Sequence, residues 1–157
     1  MSSRALLLAA IRRGDPGALT ALVRAGADIH APGPWGATVL LDAAVQGEVD
    51  CGRVLLDAGA STEVPDPRTG ATALLEAARF GCTGFVQLLL EHGADRSAVD
   101  VDGHNARTLA LLNDHVPTAE LLAAAGVPRQ PEFARDIAET RAAIRAAAAQ
   151  LAGDRRA

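Results

Sequence analysis

The side chains able to do nucleophilic, acid–base or metal chemistry are few in this chain and share no motif. His30, His92, His104 and His115 show no metal-ligand spacing with one another or with Cys51 and Cys82. A zinc site needs three or four such donors to converge. Asp95, Asp100 and Asp102 sketch the acidic half of a calcium loop, but the turn glycine and closing glutamate are absent at the required spacing. Those acids read as a solvated hairpin tip. Cys51 shares an apolar helical run with Val54 and Leu55 and reads as an inert buried thiol. Cys82 stands at a helix start, where the helix dipole would lower its pKa, yet no histidine or lysine adjoins it in sequence. A disulfide between the two is not expected, and free thiols fit a reducing compartment. Neither a phosphate-cradling glycine loop nor a Gly-x-Ser-x-Gly elbow occurs. The expectation is no enzyme, no metal and no cofactor.

What remains is recognition by surface side chains, and a repeat positions them. The stretch Gly36-Ala-Thr-Val-Leu-Leu-Asp-Ala-Ala-Val-Gln-Gly47 returns 34 residues later as Gly70-Ala-Thr-Ala-Leu-Leu-Glu-Ala-Ala-Arg-Phe-Gly81. A step of twelve residues links Gly14 to Gly26, Gly47 to Gly59, Gly81 to Gly93 and Asp114 to Gly126. Four units therefore tile residues 4 to about 128, and a period in this range marks stacked supersecondary units. Within a unit, Thr38 reads as an N-cap and Gly47 as a C-cap around a short apolar run. Val49 to Leu56 then shows helical spacing of Cys51, Val54 and Leu55. Two antiparallel helices follow, with a Pro/Gly/Asp-rich segment leading into the next unit.

On these residues the chain resembles the ankyrin repeat family. That family's Gly-x-Thr-Pro-Leu-His-x-Ala-Ala-x-x-Gly, followed by Leu-Leu-Leu-x-x-Gly-Ala-Asp, maps onto Gly70 to Asp95. The resemblance implies an all-α solenoid of four stacked helix-turn-helix repeats joined by β-hairpin-like loops. Leu41 and Leu75 replace a histidine that in the family ties the threonine and the turns together, so apolar packing is expected there instead. The fourth unit puts Asn105 for Thr, Ala106-Arg107-Thr108 for Pro-Leu-His and Asp114 for the closing glycine; the first lacks an opening hairpin. Divergent end units fit a capping role.

In proteins similar to this, partners bind the hairpin tips and the positions before each mid-repeat glycine. Carried over, the candidate contacts are Arg12, Arg13, Trp35, Gln46, Arg68, Arg79, Phe80, Asp102, His104 and Asn113 on one concave face. Trp35, Arg68, Arg79 and Phe80 are central among them, since aromatics and arginines anchor interfaces. Self-packing of Trp35 against Pro32 and Pro34, or cover over Phe80 from a neighbouring repeat, is the alternative. Arginines beside two aromatics imply a mixed basic and apolar groove, hence a protein partner with an acidic and partly apolar patch.

Residues 129–157 lie outside the repeats. Pro128-Arg129-Gln130-Pro131 breaks the chain, and Glu132 to Leu151 reads as one alanine-rich helix with Phe133, Ile137, Ile144 and Leu151 on one stripe. That division gives a repeat domain over 1–128 and a capping helix with a short frayed tail over 129–157. The alternative role for the helix is oligomerisation, which would make the protein structural or self-assembling. A monomer is otherwise expected. The net charge of −4 supplies no basic excess for nucleic acid. No segment is long enough to span a bilayer, and the Leu6–Leu8 stretch followed by Arg12-Arg13 completes a repeat helix rather than a signal peptide. A cytoplasmic location follows. All fifteen basic residues are arginine, a bias that fits GC-rich coding and a bacterial source.

Overall fold

A computed structural model describes residues 2–154. Four helix pairs stack in sequence order: α1 (Ser3–Arg12) with α2 (Pro16–Arg24), α3 (Val39–Gln46) with α4 (Val49–Asp57), α5 (Ala73–Arg79) with α6 (Thr83–Glu91), and α7 (Ala106–Leu112) with α8 (Val116–Ala124). First helices pack on first helices and second on second along the stack. One continuous apolar cluster runs through it from Leu7 to Val127. Ala43, Ala44, Ala77 and Ala78 are wholly buried within it, so small side chains let neighbouring pairs approach closely. Among the described residues, no helix is long and apolar enough to cross a membrane.

The caps explain why the helices are so short. The Thr38 hydroxyl accepts a hydrogen bond from the Leu41 N–H at 3.4 Å, satisfying one orphan donor of α3. Gly47 ends the helix at φ +72°, a conformation in which a Cβ is costly. The mid-repeat glycines have a second reason to be glycine. A Cβ on Gly47 would lie 2.9 Å from Cys82 Sγ, and one on Gly81 only 2.5 Å from His115 Nδ1. The residue after each mid-repeat turn thus stands against the corresponding turn of the preceding unit. Asp114 adopts φ +60°, the sole positive φ outside glycine among the described residues, in the position of the closing glycine. Aspartate tolerates this conformation better than most residues, and Arg141 Nε lies 3.6 Å from its carboxylate.

Leu41 and Leu75 are buried, as the loss of the family histidine implies. The replacement is incomplete in one repeat. Thr72 Oγ1, at the N-cap of α5, is buried with no hydrogen-bond partner.

The linkers are tight hairpins closed by Gly33 N–H to Ala37 O at 2.9 Å, Asp66 N–H to Ala71 O at 2.9 Å and Asp100 N–H to His104 O at 3.1 Å. The second and third tips also bond to each other, Val101 N–H donating to Thr69 O at 2.9 Å. The C-terminal segment departs from a single helix. A 3₁₀ turn, Pro131–Phe133, precedes α9 (Ala134–Asp154), which rests on α7. Helix α9 reaches past the expected tail at Gly153, and the last three residues of that tail lie outside the described residues. Ile137 is buried, whereas Ile144 and Leu151 are exposed, so only the first part of the stripe serves as a cap.

Candidate protein-binding groove

Helices α3 and α5 set their variable positions side by side. Asp42, Val45 and Gln46 come from α3, and Glu76, Arg79 and Phe80 from α5 and its C-cap. Because these positions recur every helical turn, they form rows on the face that the hairpins also border. A groove of about 290 Å³ lies there, with Ala37, Leu41, Val45 and Phe80 as apolar walls. Its polar lining is Asp42, Gln46, Asp66, Arg68, Thr69 and Glu76.

The candidate contacts divide sharply. Gln46, Arg68 and Phe80 meet in this groove. Phe80 is 50% exposed and Trp35 71%, so neither packs away into its own repeat. Trp35 sits at the first hairpin tip, outside the lining of the groove. Arg12 and Arg13 are exposed at the end of α1. Arg13 turns instead to a second groove of about 330 Å³ at the first repeat, with Leu6, Ala9 and Leu22. Asp102 is exposed, and its N–H is spent on Asp100 Oδ1 at 3.0 Å. His104 is half-buried against Phe133, the ring centroids 4.4 Å apart, so the C-terminal segment covers it. Asn113 folds its side-chain amide back on Leu109 O at 2.8 Å.

The central arginines do not offer free charge. Arg79 Nη2 donates to Asp100 Oδ2 at 3.3 Å, and its Nε lies 3.8 Å from Glu76 Oε2. Arg68 meets its hairpin neighbour Asp66 through both Nε, at 3.4 Å, and Nη2, at 3.2 Å. Those hydrogen bonds hold the Asp66 carboxyl below its usual range. The expected basic groove is therefore corrected: each central arginine is matched by an acid, and the lining holds three carboxylates against one guanidinium.

The acids of the lining are the groove residues that register reasoning missed. Burial pushes the Glu76 carboxyl above its ordinary value; Asp66 and Asp100 add to the rise, while Arg79 and the Thr69 hydroxyl oppose it. Burial likewise raises Asp42, against the pull of Arg4 and Arg12. Their signal was present in the sequence, since Asp42 and Glu76 occupy the same place in the twin segments. Asp100 is buried at the third hairpin, accepting from the N–H groups of Asp102 and His104 at 3.0 and 2.9 Å. The acid–histidine cluster of Asp100, Asp102 and His104 is thereby accounted for as hairpin wiring. Burial raises the pKa of the Cys82 thiol.

Stacked helix pairs joined by hairpins, with variable side chains on one bordered face, define a repeat scaffold built for surface recognition. The family model for ankyrin repeats (3 copies) matches residues 6–100 and 60–130, and the chain belongs to the ankyrin repeat family. It is similar to "Putative palmitoyltransferase ZDHHC13" of Danio rerio, 32% identical over 105 residues, covering 67% of this chain and 16% of that protein. It is also similar to "Zygote-specific protein 3" of Chlamydomonas reinhardtii, 36% identical over 105 residues, 66% of this chain and 28% of that protein. The chain thus spans less than a third of either relative.

Proposed function

We propose that this chain is a non-catalytic protein-binding module that holds a segment of a partner protein in the groove between α3 and α5. The observation that carries this reading is Phe80. A half-exposed phenylalanine beside Val45, over partly desolvated carboxylates, is a poor arrangement for a surface that meets only water. Ankyrin repeats are in general protein-interaction modules, which supports the same reading. Gln46 and Arg68 border the contact, and Trp35 extends it at the hairpin tip. The partner patch expected from sequence was acidic; the pairing of Arg68 and Arg79 with acids now speaks for a different complement. Both cysteines are free, which supports a reducing compartment such as the cytoplasm.

Affinity capture from the native cell, with the parent chain and with Phe80→Ala, tests this reading. The variant is expected to lose the partner while its unfolding free energy stays within about 0.5 kcal/mol of the parent's, the usual range for a surface change. Equal capture by both chains would sink it. A second reading, self-association through α9, is favoured by the exposure of Ile144 and Leu151 on its distal half. Mass measured in solution across a range of concentrations decides it, and a monomer throughout removes it.

A further inference from the structure

The groove has a charge preference that the repeat register does not convey. Glu76 is the key group: its side chain is only 10% exposed, it lines the groove, and its nearest cation, Arg79 Nε, stands 3.8 Å away. That separation is beyond hydrogen-bonding reach. Arg79 commits its Nη2 to Asp100, and its buried Nε has no hydrogen-bond partner at all. The Thr69 hydroxyl, which accepts from the Ala71 N–H at 3.2 Å, gives Glu76 partial relief with its single donor hydrogen. Across the groove, Asp42 Oδ2 accepts from Arg4 Nη2 at 3.1 Å, and the side chain, 37% exposed, is open to a further donor. A buried carboxylate left short of donors, as Glu76 is, is costly to hold.

We infer that Asp42 and Glu76 form a socket for a cationic side chain of the partner, an arginine or a lysine flanked in its own sequence by an apolar residue. This rests on the groove being the binding surface. The walls suit such an occupant: Ala37, Leu41 and Val45 receive the aliphatic stem, and the exposed Phe80 ring offers its face to the charged head. The neighbour's apolar side chain then packs beside Phe80. An acidic partner is disfavoured, because Arg68 and Asp66 hold each other and the acids left in the lining are Glu76 and Asp42, the latter bridged on one oxygen by Arg4. The same repulsion turns away phosphate groups.

Short random peptides displayed on phage, selected on the full chain and depleted on its Phe80→Ala variant, test the inference. Enriched peptides are expected to carry an arginine or lysine next to an aliphatic or aromatic residue. A synthetic peptide of that kind is expected to bind about tenfold or more weakly to Glu76→Gln and to Asp42→Asn. It is expected to bind Asp102→Asn as it binds the parent, and to weaken as salt rises. Thermal midpoints at or above that of the parent separate a lost contact from a lost fold for Glu76→Gln. Peptides that depend on Phe80 yet are acidic or neutral, or that bind both charge variants undiminished, overturn the socket and leave the groove reading standing. Peptides that bind with no dependence on Phe80 overturn both.

Discussion

Thr38 and Thr72 occupy one position in successive repeats and have different fates. The Thr38 hydroxyl caps α3, whereas the Thr72 hydroxyl is buried without a partner at the start of α5. An unmet buried hydroxyl costs about 1–3 kcal/mol, and a lost cap about 1 kcal/mol. Thr72→Val keeps the shape and the branched backbone preference, so its midpoint in chemical denaturation is expected to match or exceed that of the parent. Thr38→Val is expected to fall by about 1 kcal/mol; equal losses for the two would mean that Thr72 also caps. Glu76 carries a second residue-scale consequence. Its folded pKa lies above the ordinary glutamate value of 4.5, chiefly through burial. The fold therefore favours the protonated form, and that stabilisation is complete below 4.5 and lost as pH rises through the folded value. At neutral pH the buried charge is a net cost to the fold. Glu76→Gln is expected to raise the thermal midpoint at pH 7 by no more than a few degrees. The advantage should close as the pH falls towards 4.5; an advantage independent of pH would assign it to shape rather than charge.

Elements in this stack are fitted to one another more tightly than their own sequences convey. Gly52 sits inside α4, where alanine would add about 1 kcal/mol of helix preference. A Cβ there would stand 2.5 Å from the Phe85 ring of α6. Overpacking of that kind costs about 1–3 kcal/mol, so Gly52→Ala is expected to lower the thermal midpoint, and adding Phe85→Leu to recover part of the loss. A rise for Gly52→Ala alone would mean that the ring has room to move. The same contrast separates what the sequence makes legible from what it hides. Thr38, Gly47 and Gly81 could be read because an N-cap and a left-handed turn each demand particular residue types at a fixed spacing. Gln46, Arg68 and Phe80 followed once the register was known. Gln130 could not be read. It accepts from the Asn105 N–H at 2.9 Å and the Thr108 hydroxyl at 2.7 Å and donates to Gly103 O at 2.9 Å, tying the C-terminal segment to the last repeat. Those partners lie 22 to 27 residues away, and no local pattern announces them. The sign of the groove was hidden for the same reason, since Arg79 and Asp100 are 21 residues apart and Arg4 and Asp42 are 38.

At the scale of the whole molecule, stability is close to a sum of repeat terms and nearest-neighbour interfaces, so each end must be judged by what it covers. Helix α9 meets the stack chiefly through α7 and its own lead-in turn. Its proximal part buries Ile137, and Arg141 reaches Asp114 at the last mid-repeat turn. From Ala142 onward every residue with a described side chain is exposed. The two halves of one helix should therefore separate in their effect. A chain ended after Arg141 is expected to keep the parent's unfolding free energy within about 0.5 kcal/mol, because no buried side chain is lost. A chain ended after Pro128 loses Gln130 and Ile137 together. Burial of one large aliphatic side chain is worth about 1.5–3 kcal/mol, and three hydrogen-bonding groups of the last repeat would lose their partner. The loss should be local as well as large, with amide exchange rising in α7 and α8 while α1 to α4 hold their protection. Uniform loss along the stack would show a molecule more cooperative than nearest-neighbour coupling allows. Equal loss from both truncations would mean that the distal half of α9 packs on something, and a second copy of the chain would then be the first candidate.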